Sequence, residues 1–308
     1  MSNRRQKTVG ALMLLCAALI WGTTFVAQDK AAAHVEGFTF LFARSALAVA
    51  ALLPAAWIKT RFERRKTHPV AHQSGSKRAL LIGGALCGAL LFVASALQQF
   101  GIAANDTSPG KDAFITALYI VFVPVLGLFF KKRCAPHVYA CVAVALVGLW
   151  LLCMGNATLS RGDLLVILCS LIFAFHIMAV DALVPRVDGV WLSLCQFGAV
   201  TLLSFIFMWV FESPSWSDIC AAAGPILFAA ILSSAGAYTL QILGQSRTPP
   251  TLAGLLMSLE SVFAVLCSML LLPEVPAPTA REWGGMALIL AAILAAQLQG
   301  REKKSQKF

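Results

Sequence analysis

The sequence predicts an all-α integral membrane protein, with ten transmembrane helices arranged as two inverted-topology five-helix repeats around a central cavity. Three observations predict it. Of 308 residues, 59% are hydrophobic and only 12% charged, with mean hydropathy +0.81; soluble domains carry roughly twice that charged fraction. Apolar runs long enough to cross about 30 Å of hydrocarbon recur ten times along the chain. Two stretches half a chain apart also echo each other in sequence.

The ten runs are Val9–Ala27, Phe38–Ile58, Ala79–Phe100, Ala113–Phe130, Val138–Met154, Leu164–Val180, Val190–Phe211, Ile219–Leu243, Leu252–Leu272 and Trp283–Leu298. Each is bounded by charges, prolines or glycines. The fifth, sixth and tenth are short and borrow a flanking residue or two. The opening "MSNRRQKTVGALMLLCAALIWG" has the basic head and apolar run of a signal peptide. With nine further runs behind it and no clean cleavage site, it reads as a retained first helix.

Placement of the basic residues sets the orientation. With the N-terminus inside, 19 of the 24 Lys and Arg fall in cytoplasmic segments. Only Lys30, Lys111, Arg161 and Arg281 fall on the opposite side, and Arg44 lies within a span. This split predicts both termini in the cytoplasm of a multi-pass membrane protein. The net charge of +10 is therefore topological and faces anionic lipid, so it predicts no nucleic-acid partner. The longest loop, Lys59–Arg78, contains "KTRFERRKTH" and reads as a stop-transfer loop with solvated His68 and His72. Nine cysteines, mostly inside spans and without a CxxC, read as buried free thiols. No metal or cofactor is expected.

The internal echo pairs "TSPGKDAFITALYIVFVPV" (107–125) with "TPPTLAGLLMSLESVFAVL" (248–266). At a shift of 141 residues, Thr107, Pro109, Leu118, Val121 and Phe122 meet Thr248, Pro250, Leu259, Val262 and Phe263. "LLCAALIWGTTFVAQD" likewise opens the first half as "ILCSLIFAFHIMAVD" opens the second. The expected units are residues 1–156 and 157–308. Five spans per unit is an odd number, so the second copy crosses in the opposite sense. Such inverted repeats place a substrate site near the midplane and permit alternating access.

In that alignment Glu260 falls opposite Tyr119. An ionised carboxylate in hydrocarbon is expensive, so an acid in the middle of "AGLLMSLESVFAVLCSMLLL" marks a functional site by default. A protonated carboxyl held for packing is the bland alternative.

"ALIWGTTFVAQ", "FTFLFARSALA", "AFITALYIVFVPVLGLF" and "AGLLMSLESVFAVLCSMLLLPE" resemble the EamA domains of the drug/metabolite transporter superfamily. The resemblance spans roughly residues 9–299 as two tandem copies. It implies a ten-helix inner-membrane carrier, usually an exporter of metabolites such as amino acids. In such carriers helices 1–4 and 6–9 surround a cavity and helices 5 and 10 are peripheral. Glu274 matches the acid that ends the fourth helix of an EamA repeat, whereas the first half has Arg133 there, which removes any paired role. Membership does not name the cargo.

The candidate substrate-binding residues are the polar ones in apolar runs. Glu260 is the cavity acid and a proton-coupling candidate, with Ser258 and Ser261 near it. His176 is a second coupling candidate, with headgroups or Asp181 as its structural alternative. Arg44, about two turns inside helix 2, either snorkels, pairs with Glu260 or holds a substrate carboxylate. Gln99 in helix 3 and Gln241 in helix 8 occupy matching places, with Gln98, Tyr238, Tyr119 and Thr116 as further polar positions. Helix–helix hydrogen bonding is the commoner task of such residues. Trp21 is followed by Gly22, Thr23 and Thr24, small residues that would let its ring face a cavity, with a plain interfacial or packing tryptophan as the alternative. Gly84 and Gly88 have the spacing for close helix packing. Pro109, Pro249 and Pro250 sit at helix starts, while Pro124 lies inside helix 4 as a kink or gate element.

The function expected is secondary active transport of small metabolites such as amino acids, by alternating access, with protons as one possible coupling ion. The alternative is a broad drug or amphipathic efflux carrier. No GxxxxGK[ST], HExxH or GxSxG occurs, so ATP hydrolysis and intramembrane catalysis have no motif to support them. A membrane scaffold gives the repeat and the intramembrane polar residues no purpose. Partners are the metabolite and membrane lipid, and the carrier is a monomer or homodimer.

Overall fold

The computed structural model describes residues 3–64, 76–104, 109–131, 135–153, 160–272 and 277–305. Arg133, Glu274, His68 and His72 lie outside them. Among the described residues the chain is helical and without strands. The helices are α1 (Asn3–Ala32), α2 (Gly37–Arg64), α3 (Lys77–Ala104), α4 (Pro109–Thr116), α5 (Tyr119–Phe129), α6 (Pro136–Cys153) and α7 (Arg161–Leu183). Then follow α8 (Gly189–Phe211), α9 (Trp216–Ala221), α10 (Ala223–Phe228), a π-helical stretch (Ala229–Ala237) and α11 (Tyr238–Gln245). Last come α12 (Pro250–Met257), α13 (Glu260–Leu271) and α14 (Ala280–Ser305).

Eight segments are long and apolar enough to cross a membrane: Arg5–Ala32, Gly37–Phe62, Lys77–Ala104, Pro109–Phe129, Arg161–Leu183, Gly189–Phe211, Ala223–Gln245 and Pro250–Leu271. They cover eight of the ten expected runs. The fifth run corresponds to a shorter apolar helix, Pro136–Leu151, and the tenth lies within α14. The eighth starts later than expected, because Asp218 and the exposed Trp216 belong to the separate short helix α9. Large apolar side chains such as Leu53, Phe129, Trp209 and Leu270 stand exposed on the outside, as a lipid-facing surface requires. Arg61 stacks on Trp57 and Arg281 on Trp150, pairs suited to the two membrane–water interfaces.

The packing runs across the chain rather than along it. α2 and α8 lie antiparallel and are tied at both ends. Glu212, just past α8, accepts from the backbone N–H of Phe38 and Thr39 at 2.6 and 2.7 Å. At the other end Asp188, the N-cap of α8, pairs with Lys59 of α2. Burial alone would raise the Asp188 carboxyl, but Lys59 and the Val190 and Trp191 N–H groups hold it below the usual carboxylate range. α3 packs on α7 and α8, α1 on α11 and α13, and α6 on α14.

Glycine sets how closely these pairs approach. A Cβ on Gly88 would stand 2.5 Å from the Gln196 carbonyl oxygen and one on Gly84 would stand 2.4 Å from the Cys195 Cβ, so both serve internal packing of α3 on α8. Gly101 of α3 meets the Gly162 carbonyl of α7, and Gly244 of α11 meets the Gly10 carbonyl of α1. The tightest crossing of α1 and α13 is at Gly22, where a Cβ would lie 2.5 Å from the Phe263 Cβ and 2.8 Å from the Glu260 oxygen and the Ala264 nitrogen. Backbone cannot yield there. Gly22→Ala is expected to push the helices apart and destabilise the protein by about 1–3 kcal/mol. Gly198→Ala, with nothing within 4 Å, is expected to be neutral. Equal melting temperatures for the two variants in detergent would overturn this.

The segments of the fourth and ninth expected runs share one irregularity. α4 gives way to α5 at Ala117–Leu118, and α12 to α13 at Ser258–Leu259, positions 141 residues apart. Both turns tighten to i→i−3 bonding: Leu118 N–H donates to Ile115 O at 3.2 Å and Leu259 N–H to Leu256 O at 3.4 Å. Short 3₁₀ turns within a helix mark hinges. Pro124 stands six residues past the first break, inside α5, and the matching position in the second half is Val265. The tightened turn is therefore not made by proline.

Candidate functional site

The two breaks meet at the centre of the bundle, where α13 packs on α4 and α12 on α5. Tyr119 and Glu260 are each the first residue after a break, and the Tyr119 ring also rests 3.8 Å from the site of a Cβ on Gly254. The Tyr119 hydroxyl stands beside the Glu260 carboxyl. Around them lies about 460 Å³ of empty space, mouth included. Its wall is Trp21, Phe25 and Gln28 of α1, Arg44 of α2, Gln98 of α3, Thr116 of α4 and Tyr119 of α5. Phe173 and Ile177 of α7, Ser233 of the π stretch, Tyr238 and Gln241 of α11, Met257 of α12 and Glu260 complete it. α6, α8 and α14 contribute nothing to the wall.

Glu260 is 4% exposed and, among the described residues, is the one acid on the wall. The structure does not pair it with Arg44. The Arg44 Nε donates to Ser234 Oγ at 3.0 Å and Nη2 to Ser233 Oγ at 3.1 Å, and its guanidinium lies 5.4 Å from the Phe40 ring centre. Trp21 and Tyr238 pack edge to face with centroids 4.9 Å apart, and Phe197 braces Tyr238 from behind at 5.5 Å. Four buried polar atoms of wall residues have no hydrogen-bond partner among the described residues: Trp21 Nε1, Tyr119 Oη, Gln241 Oε1 and Glu260 Oε1. Buried polar atoms left this way call for an explanation.

Other expected residues fall elsewhere. Thr24 is buried with its hydroxyl turned back to Ile20 O at 2.6 Å. His176 stands behind Tyr238, centroids 6.2 Å apart, and bonds Gln196 Oε1 through Nε2 at 3.1 Å rather than Asp181 or headgroups. It is fully buried, one layer behind the wall. Ser258 and Ser261 bond back into their own turn. Gln99 is off the cavity, and its neighbour Gln98 faces it.

Gln99 instead lines a second recess of about 970 Å³ at the end of the bundle carrying the α1–α2 turn, with His34, Glu36 and Asp218. Between recess and cavity lies a clasp of glutamines. Gln28 Nε2 donates to Gln98 Oε1 at 3.1 Å and to Gln99 Oε1 at 3.3 Å, while Gln99 Nε2 donates to the Gln28 carbonyl at 3.3 Å. Gln98 Nε2 completes it by donating to Thr116 Oγ1 at 3.1 Å. A smaller counterpart joins α11 to α7: Gln241 Nε2 donates to Gln245 Oε1, and Gln245 Nε2 to the Ile177 carbonyl, both at 3.0 Å. Phe25, Gln28, Phe173, Ile177, Ser233 and Met257 are wall residues that sequence reasoning did not single out.

The EamA-like transporter family matches this chain twice, over residues 8–154 and again over residues 160–296. The chain belongs to that family. An uncharacterized transporter of Archaeoglobus fulgidus is similar to this EamA-like transporter, 27% identical over 291 residues that cover 94% of this chain and 85% of that protein. One crystal structure shares the fold at a TM-score of 0.69 and 20% identity, covering 96% of this chain and 98% of its own. The EamA-like transporter is thus a multi-pass α-helical membrane protein.

Proposed function

We propose that this EamA-like transporter is a secondary active carrier that exports small metabolites such as amino acids by alternating access. Its ten helices form two five-helix units, 1–156 and 157–308, inverted relative to each other in a bacterial inner membrane with both termini cytoplasmic. The observation that carries the reading is the central wall. Residues of both halves meet there, and four of its buried polar atoms have no hydrogen-bond partner among the described residues. A wall with one acid and one guanidinium suits neutral or zwitterionic cargo over multiply anionic cargo.

The inverted repeat is supported by the helix breaks 141 residues apart and by the paired contacts Gly101–Gly162 and Gly10–Gly244. The glutamine clasps suit two gates, one at each end of the cavity. Hydrogen bonds between neutral amides are worth only about 1 kcal/mol each, so a gate built from them can open on binding energy. Protons are the coupling ion we favour, with Glu260 as the exchanging group and His176 behind it. The apolar wall of Phe25, Phe173 and Met257 favours a second reading, an efflux carrier for larger amphipathic compounds.

Purified protein in proteoliposomes, offered pooled radiolabelled amino acids with and without an imposed pH gradient, tests the first reading. Saturable uptake above protein-free vesicles is expected. No uptake of any amino acid, with competition-sensitive uptake of an amphipathic cation instead, would give the second reading.

A further inference from the structure

The proposed carrier needs a way to select its cargo, and Arg44 supplies an unusual feature. It is a guanidinium 6% exposed, about two turns inside α2, with no carboxylate within ion-pair distance among the described residues. Removing such a charge from water costs several kcal/mol unless an anion and hydrogen bonds offset it. The protein satisfies only one edge. Nε and Nη2 are held by Ser234 and Ser233, neutral hydroxyls that fix direction without cancelling charge.

The two serines are consecutive, and the local helix explains how both reach one group. They sit within the nine-residue π stretch Ala229–Ala237, "AAILSSAGA", whose small side chains tolerate the wider turn. A π-helix turns less per residue than an α-helix, so neighbouring hydroxyls lie closer to one face. Ser233 and Arg44 both line the cavity, and Ser234 is fully buried behind them. The guanidinium is thus pinned at one edge by serines, while its residue forms part of the cavity wall.

We infer that Arg44, pinned by Ser233 and Ser234, is the carboxylate-binding subsite of the cavity and makes the carrier selective for cargo bearing one carboxylate. This rests on the reading of the cavity as the transport site. A guanidinium accepts a carboxylate in planar, two-point geometry and has five N–H donors, more than the two serines occupy. Glu260 stays available on the same wall for an ammonium or a proton. The bound carboxylate neutralises Arg44, so the charged residue is most comfortable when the cavity is loaded.

The test is binding, with no transport step. Purified detergent-solubilised wild type, Arg44→Lys and Arg44→Gln are titrated with leucine, leucinamide and isovalerate while the melting temperature is followed. Leucine and isovalerate are expected to stabilise wild type at concentrations at least ~10-fold below leucinamide. Arg44→Gln is expected to lose that preference and Arg44→Lys to keep part of it, since an ammonium supplies charge without the fork. Ser233→Ala, a milder change, is expected to weaken it about threefold. Equal responses to acid and amide in wild type would overturn the subsite whether or not any variant folds, as would no response to either acid or an undiminished preference in Arg44→Gln. The outcomes separate the two ideas: uptake without acid-over-amide preference sinks the subsite alone, and preference without uptake sinks the transport reading alone.

Discussion

Glu260→Gln is expected to abolish the response of uptake to an imposed pH gradient, lowering the gradient-driven rate at least ~10-fold to its gradient-free level. Glutamine keeps the size and hydrogen-bonding capacity of the carboxyl, so folding is expected to survive. What it lacks is a proton to exchange. Among the described residues Glu260 is the only acid on the cavity wall, and its Oε1 has no partner there. With the Tyr119 hydroxyl as its polar neighbour and no cation paired to it among the described residues, the carboxyl can change its charge state without breaking an ion pair. His176→Gln is expected to have the smaller effect, because His176 stands one layer back and is bonded to Gln196. Uptake by Glu260→Gln with an unaltered pH response would make the acid structural and remove it from coupling.

Asp163→Ala is expected to cost about 3–5 kcal/mol, the range for a buried ion pair stripped of one partner. Asp163 is fully buried and does two jobs. Its Oδ2 accepts from the Lys111 ammonium at 2.7 Å, joining α4 to α7, and from the Ser160 N–H at 2.8 Å. The Ser160 hydroxyl returns the bond by accepting from the Asp163 N–H at 3.0 Å, closing a capping box on α7. The alanine variant loses the carboxylate half of the capping box and leaves a lysine that is itself nine-tenths buried beside a missing acid. Lys111→Met combined with Asp163→Leu is expected to recover much of the loss. A melting temperature for Asp163→Ala within a degree or two of wild type, in detergent, would sink the argument.

The fold was legible in sequence where the bilayer dictates it. Apolar runs, flanking charges and the 141-residue echo led to helices whose breaks the structure then showed in the same register. The wall was legible only where a polar residue interrupted hydrocarbon, as at Arg44, Tyr119, Gln241 and Glu260. Phe25, Phe173, Ile177 and Met257 have the same chemistry as lipid-facing neighbours, so nothing in a sequence separates them. Gln98 and Gln99 expose a second limit. Both are amides in a helix apolar on every side, and a rotation of 100° decides which meets the cavity. With lipid outside and packed helices inside, no hydrophobic stripe records that rotation. The π stretch was invisible too, because its small residues fit an α-helix equally well.

Packing across the chain also bears on how the protein is made. α2 has its main surface on α8, α3 on α7 and α8, α1 on α11 and α13, and α6 on α14. Each of these pairs joins an early helix to a late one. As the chain emerges, the first five segments enter lipid with their closest partners still untranslated. Their main contacts wait for the second half, and those of α6 wait for α14. Assembly is therefore timed by the second half, and a nascent chain stalled before α14 exposes the Gly148 face of α6, which the Gly285 carbonyl should cover, to whatever else shares the membrane.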